Sequence, residues 1–357
     1  MNDFFIEGRG IGEGFPVYFI ADLAANHDGD LGRAKELIWL AAEAGAHAAK
    51  FQHFKADTIV SDYGFKRLGG QVSHQKAWKK SVYDVYADAS LNENWTLELK
   101  DTCKSAGVAF LTSPYSKELV DYVDEFVEAY KIGSGDITWL EIIDYICDKN
   151  KPILLATGAS NLSDVSRAMD VILKKEQRVV LMQCNTNYTA SHENFKHINL
   201  NVLKTFRQNY PDVILGLSDH TLGHSTVLGA VTLGAKVIEK HFTDDCNRSG
   251  PDHKFSMSPS SWKEMVQYTQ ELELALGEGL KKVEDNESET VVLQRRALRA
   301  KSDLYQGDLV QGKDFIPLRP CPEDALRPDQ KEEILGMRLT KNISKGDIVK
   351  WSDLTSE

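Results

Sequence analysis

Eight short apolar runs, each ending in polar or ionisable side chains, constrain the fold of this chain more than any other feature. They cover residues 17–21, 46–49, 108–111, 129–132, 153–156, 179–182, 213–217 and 235–238, with His47 and Lys236 interrupting the second and eighth. Strands that are apolar throughout belong to parallel sheets, whose two faces are both covered by connecting helices. Apolar residues at helical spacing fill the gaps, at 31–42, 95–106, 117–128, 140–149, 162–174, 201–210, 225–234 and 261–276. This alternation predicts an α/β chain built as a (β/α)8 TIM barrel. In such a barrel the chemistry sits at the C-terminal ends of the strands.

A length of 357 residues suits one barrel with a small appendage. Gly8, Gly10, Gly12, Gly14 and Pro16 predict an N-terminal hairpin ahead of the first strand. Residues 55–94 exceed what a βα connection needs, and we read them as a loop over the barrel mouth with Gly69-Gly70 as a flexible point. A peripheral insertion without a catalytic part is the alternative. The barrel domain is expected to span 1–280, with an acidic linker at 281–292 and a small β-rich domain at 293–357. That last segment repeats itself: Leu304 to Val310 with Asp314 matches Ile343 to Val349 with Asp353, 39 residues on (346 − 307 = 39). Each copy carries a Gly-Asp turn.

The net charge of −11 is spread along the chain, which argues against nucleic acid as the main partner. Five cysteines form no CxxC pair, as expected of reduced thiols in the cytoplasm. No basic-then-apolar leader opens the sequence, and no apolar stretch nears the roughly 20 residues that span a bilayer. A cytoplasmic protein without membrane contact is expected.

The strand ends hold the candidate chemistry. Asp22 follows the first run, with Asn26 and His27; Lys50 and Gln52 the second; Ser113 the third; Lys131 and Ser134 mark the fourth. Thr157, then Gln183 and Asn185, then Ser218 and His220, then Glu239 and His241 mark the rest. Inward lysines are costly without a counter-anion, so Lys50 and Lys131 amid hydroxyls suit a phosphate and a carboxylate. Structural ion pairs with Asp22, Asp136 or Glu239 are the alternative. His220 and His241, on neighbouring strands, suit a borderline divalent ion such as Mn2+; a purely hydrogen-bonded histidine pair suits the spacing equally.

Several segments resemble the sialic acid (N-acetylneuraminate) synthase family, which includes pseudaminic and legionaminic acid synthases. They are ADLAANHDGD from Ala21, KFQ from Lys50, SPY from Ser113, YKIGSGD from Tyr130, GLSDHT from Gly216, EKHFT from Glu239 and GPDH from Gly250. The tail, with Arg319-Pro320, resembles the family's antifreeze-like domain. The resemblance implies condensation of phosphoenolpyruvate with an open-chain N-acylated hexose, giving a nine-carbon 3-deoxy-2-keto acid and phosphate. It implies His220 and His241 as ligands of a divalent metal, Mn2+ first and Mg2+ or Co2+ next. It implies Asp22, Lys50 and Lys131 as catalytic residues, with Gln52, Ser113, Ser134, Thr157, Asn185, Thr186, Tyr188, Ser218 and Asp252 around the substrates. Arg319 would reach the sugar from the partner chain of a domain-swapped homodimer. Asp22 stands where the family usually has Glu, and Cys321-Pro322 replaces a glycine-rich turn.

Two other readings differ in what they need. A synthase of seven- or eight-carbon ulosonates from a phosphorylated sugar needs a second basic pocket. A catalytically silent barrel serving as a sugar-binding or assembly module gives no reason for inward lysines.

Overall fold

In a computed structural model that describes residues 3–68, 73–176 and 178–356, each of the eight apolar runs is a strand. They are β1 (Tyr18–Asp22), β2 (Ala48–His53), β3 (Ala109–Pro114), β4 (Tyr130–Ile132), β5 (Ile153–Ala156), β6 (Val179–Cys184), β7 (Ile214–Asp219) and β8 (Ala235–His241). Hydrogen bonds join them in the order β3-β2-β1-β8-β7-β6-β5-β4, every pair parallel. β3 and β4 lie side by side at the remaining seam, so the barrel is nearly closed. The expected Gly69-Gly70 flexible point lies outside the described residues.

Side chains alternate along each strand between the barrel interior and the helix layer. Tyr18, Ile20, Ala48, Ala109, Leu111, Leu154, Val180, Met182, Ile214 and Val237 fill the interior. Phe19, Ala21, Ala49, Phe51, Phe110, Leu155, Leu181, Leu215 and Ile238 face the helices. The N-terminal hairpin, Phe4–Ile6 with Arg9–Ile11, adds Phe4, Ile6 and Ile11 to the interior cluster. Gly216 has no side chain because none fits: a Cβ there would lie 2.9 Å from Met182 Cγ and from the Val237 carbonyl oxygen.

The helices follow their capping signals. Asp30 caps Leu31–Glu43 by accepting from the Arg33 N–H, and Asn161 caps Leu162–Ile172 in a reciprocal capping box. Residues 55–94 correct an expectation. Most of this stretch is short helices, Ala56–Ile59, Asp62–Arg67, Ser73–Ala77 and Val82–Ala89, rather than a loop. At four to eight residues each, they are too brief to show helical periodicity in sequence.

The chain divides into two compact units, Met1–Gly277 and Glu278–Glu357. A helix, Ser288–Gln294, occupies part of the stretch read as linker. In the second unit the sequence repeat is a pseudo-twofold exchange. Leu304 and Ile343 bond each other N–H to C=O in both directions at 2.9 Å. Gly307 N–H donates to Leu339 O while Gly346 N–H donates to Ala300 O, again 39 residues apart at both ends. Gly307 and Gly346 share the left-handed backbone their turns require, with φ of 90° and 88°. The halves wrap a core of Leu298, Val310, Phe315, Ile334, Leu339 and Val349.

Candidate functional site

Continuing the interior alternation toward the C-terminal strand ends leads from apolar to polar side chains. Beyond Ile20 comes Asp22; beyond Ala48, Lys50 and Gln52; beyond Leu111, Ser113; beyond Ala129, Lys131; beyond Gly216, Ser218; beyond Val237, Glu239 and His241. All of these line one cavity of about 470 Å3, with Ser134, Cys184, Tyr188, His220 and Asp252. Strand register supplies the alignment. His241 pairs with Asp22, and Asp22 with Lys50, in a row across β8, β1 and β2.

The centre is a buried charge array. Lys50 Nζ lies 2.6 Å from Asp22 Oδ2 and 3.8 Å from Glu239 Oε1, and Lys131 Nζ lies 3.2 Å from Glu239 Oε1. Asp22 Oδ2 also accepts from Gln52 at 3.2 Å, and its Oδ1 accepts from the Ala24 N–H. Ser218 Oγ donates to Glu239 Oε1, while Glu239 Oε2 is buried with no partner. Burial works against the Lys50 ammonium, yet Asp22 and Glu239 outweigh it and hold its pKa above the usual value. Asp252, accepting from the Ala25 N–H, is pushed up by burial to about 7. Two lysines against two carboxylates leave the array near neutral.

The two imidazole rings stand 5.3 Å apart. Burial, then the neighbouring His241, lowers the His220 pKa to about 4; burial, then Lys50, lowers that of His241 to about 3. Both are neutral near pH 7, the form a metal ligand must take. His220 Nδ1 donates to the Asn185 carbonyl at 2.9 Å, which leaves Nε2 as its free acceptor. His241 Nδ1 is buried with no hydrogen-bond partner. Among the described residues no three His, Cys, Asp or Glu side chains are arranged to hold an ion by themselves. The pair therefore fits a divalent ion that draws its other ligands from water or substrate.

Some expected site residues are elsewhere. Thr157 and Asn185 do not line this cavity; they line a neighbouring one beyond β5 and β6. Thr157 Oγ1 donates to the Met182 carbonyl, and Asn185 acts through its backbone on His220. Ala156 is inward on β5, so Thr157 after it points away. Thr186 packs its methyl close to Gly158 and lines neither cavity. Arg319 belongs to the second unit, where its Nε donates to the Gln294 carbonyl. Asn26 and His27 are turn residues: Asn26 Nδ2 donates to Phe242 O and Ser256 Oγ, and His27 Nδ1 accepts from the Gly29 N–H.

Glu239 is the central residue the sequence reading left outside its site set, although its inward parity with Val237 and His241 marks it. Tyr115, Tyr86, Trp78, His74 and Gln75 also line the cavity. The last four come from the inserted helical segment and its flanks, which carry no strand-end signal. Phe255 packs its ring 5.8 Å from His220 and 4.8 Å from His241.

Known proteins match both units of the chain. The NeuB family matches residues 37–281, and the SAF domain matches residues 295–355. An N,N'-diacetyllegionaminic acid synthase of Legionella pneumophila is 34% identical over 350 residues, 96% of each chain. A pseudaminic acid synthase of Campylobacter jejuni is 31% identical, covering 94% of this chain and 96% of its own. The crystal structure of an N-acetylneuraminic acid synthetase from Leptospira borgpetersenii, in complex with citrate, matches with a TM-score of 0.70 at 27% identity. That match covers 81% of this chain and 95% of the other. Barrel and C-terminal unit together, the chain belongs to the NeuB family of sialic-acid-type synthases.

Proposed function

We propose that this protein condenses phosphoenolpyruvate with the open-chain form of an N-acylated hexose, giving a nine-carbon 3-deoxy-2-keto acid and phosphate. One observation carries the proposal: Lys50, Lys131, Asp22, Glu239 and two neutral imidazoles share one cavity of small-ligand size.

Lys50 and Lys131 are the permanent cations among the described residues lining the cavity, and both are already paired. They can pass from Asp22 and Glu239 to the carboxylate and phosphate of phosphoenolpyruvate, with Ser113, Ser134 and Ser218 donating beside them. A divalent cation held by His220 and His241, Mn2+ by its donor set with Mg2+ or Co2+ as substitutes, would polarise the sugar carbonyl as a Lewis acid.

The bond forms between phosphoenolpyruvate C3 and the aldehyde carbon of the sugar, whose oxygen becomes a hydroxyl. C2 is left electron-poor, and the Asp22 carboxylate stabilises it until water adds. The proton lost by that water passes through Asp22 to the new hydroxyl. The C2 hydroxyl then gives its proton to the departing phosphate as the C2–O bond to phosphate breaks, C2 becomes the ketone, and the lysines bear the charge of the leaving phosphate. A sugar carrying its own phosphate would find no further permanent cation among the described residues lining this cavity, which favours an unphosphorylated one.

Phosphate release with purified protein tests the proposal. Release that requires both phosphoenolpyruvate and an N-acylated hexose, and that a chelator stops, is expected; release with phosphoenolpyruvate alone would refute it. Mn2+ titrated into the His220→Ala/His241→Ala variant should bind at least tenfold more weakly than to the parent chain.

We extend the proposal to a homodimer in which Arg319 of one subunit serves the sugar in the other. Mixing Asp22→Asn with Arg319→Ala protein should restore turnover that neither shows alone; no restoration would place Arg319 outside the shared site.

A further inference from the structure

His220 and His241 are held by different means. His220 gives its Nδ1 proton to the Asn185 carbonyl, whereas His241 Nδ1 has no hydrogen-bond partner. Nε2 of His241 lies 3.5 Å from Asp22 Oδ2, beyond a good hydrogen bond. A metal-binding imidazole is ordinarily aimed by a hydrogen bond at its other ring nitrogen. His241 lacks that bond, so packing has to fix its ring. Phe255 stands edge-on to it, with centroids 4.8 Å apart at 75°, and meets His220 at 5.8 Å and 73°. Phe255 is buried and is not among the residues lining the cavity, so it backs the imidazoles rather than touching a ligand.

Phe255 belongs to the irregular segment between β8 and the helix Pro259–Leu276, and a single turn, His253–Phe255, anchors it. While Phe255 turns to the imidazoles, His253 turns to Asp28 and Thr243. Asp28 as a carboxylate only accepts, so its 2.9 Å contact with Nε2 places a proton there. In the neutral ring Nδ1 then accepts from the Thr243 hydroxyl at 2.8 Å. Asp28 also accepts from Arg248 at 2.6 and 2.9 Å and lies 3.2 Å from Arg33 Nε. It does so from a left-handed backbone, with φ of 52°, that residues with a side chain seldom adopt. Gly250 belongs to the same fit: a Cβ there would stand 2.6 Å from a ring carbon of His253. His253 is 0% exposed with both nitrogens bonded, so any displacement leaves a buried polar atom unpaired. Phe255, two residues on, shares that anchorage.

We propose that Phe255 is a positioning residue for the His241 imidazole, and that the Asp28–His253 pair holds Phe255 in place from outside the cavity. An anchored aromatic edge thereby does for His241 what the Asn185 carbonyl does for His220. This rests on the metal-binding role proposed for the two histidines and adds the residues that keep the second ring aimed.

The test titrates Mn2+ into the full chain, without substrates, and reads Kd by calorimetry. Phe255→Leu keeps apolar burial and loses the aromatic edge; its Kd for Mn2+ should rise about tenfold or more, the usual effect of removing a support of a metal-binding histidine. Phosphoenolpyruvate affinity, measured without metal, should not change, because Lys50 and Lys131 are untouched. His253→Ala should raise the Mn2+ Kd as Phe255→Leu does, and His253→Gln, whose amide can still donate to Asp28, should raise it less. Adding His253→Ala to Phe255→Leu should weaken Mn2+ binding no further, because one residue acts through the other. Should His253→Ala fail to fold, His253→Gln takes its place in this comparison. Unchanged Mn2+ affinity in Phe255→Leu, or losses from the two substitutions that simply add, would overturn the proposal and leave the condensation standing. A parent chain that binds no Mn2+ would remove the metal-binding role itself, and this inference with it.

Discussion

Lys50 Nζ and Asp22 Oδ2 meet at 2.6 Å where neither side chain is more than 3% exposed, and the same Asp22 oxygen lies 3.5 Å from His241 Nε2. A pair held so tightly out of water is stable only while both members are charged or a ligand replaces one of them. Asp22 is therefore the resting counter-ion of Lys50, and in the proposed condensation it is also the carboxylate beside the reacting carbon.

Asp22→Asn separates these roles. Losing its anionic partner frees Lys50 for the substrate, so phosphoenolpyruvate affinity by calorimetric titration should be unchanged or tighter. Turnover should fall by about 10^2 to 10^4-fold, the usual contribution of a positioned proton-transfer group. Turnover within a few-fold of the parent would remove Asp22 from the chemistry.

Lys240 and Asp219 form a second buried pair, on the outward parity of β8 and β7, at 0% and 1% side-chain exposure. Lys240 also donates to the Thr221 carbonyl, and Thr221 and Thr226 hydroxyls donate to Asp219. The network ties together the strand ends that carry His220 and His241. Lys240→Met strands a buried carboxylate and should cost about 3–5 kcal/mol in urea unfolding. Adding Asp219→Asn should recover part of that loss, because the stranded charge is then gone.

Gly216→Ala tests the packing of the barrel interior. A Cβ 2.9 Å from Met182 Cγ and from the Val237 carbonyl oxygen forces a shift in β7. The expected loss is about 1–3 kcal/mol, the usual cost of overpacking, read from the unfolding midpoint.

The barrel is legible in the sequence because eight apolar runs survive without interruption strong enough to hide them, even where His47 and Lys236 break the pattern. The site was legible as a set of strand ends but not as a set of faces. Thr157 and Asn185 both follow strands, and the family resemblance sets both at the substrate. Counting in twos from Leu154 and Val180 instead selects Ala156, Met182 and Cys184, and the same count from Val237 selects Glu239. Gln75 and Trp78 had no such signal. They sit on or beside a turn of helix five residues long, shorter than the periodicity that would reveal it. The relation between Leu304 and Ile343 was visible as a repeat, whereas their mutual backbone bonding is a three-dimensional fact.

Acid should destabilise the fold through histidines buried neutral. His53 bonds Thr112 and Thr96 through its two ring nitrogens, and burial lowers its pKa from 6.5 to about 4. Between those values the unfolded chain binds a proton that the folded chain does not, so stability is full above pH 6.5 and lost as pH falls toward 4. His27 and His47 are lowered to about 4 as well, by burial. Urea midpoints across this window should drop in the parent and drop less steeply in His53→Gln; parallel curves would mean His53 contributes nothing to acid lability.

The most direct measurement follows the bridging oxygen of phosphoenolpyruvate. With 18O in the C2–O–P bridge and an acylamino hexose present, the label should leave in inorganic phosphate, one equivalent for each keto acid formed. Label retained in the keto acid, or phosphate released without the sugar, would contradict a single cavity in which Asp22, Lys50, Lys131, His220 and His241 join the two substrates.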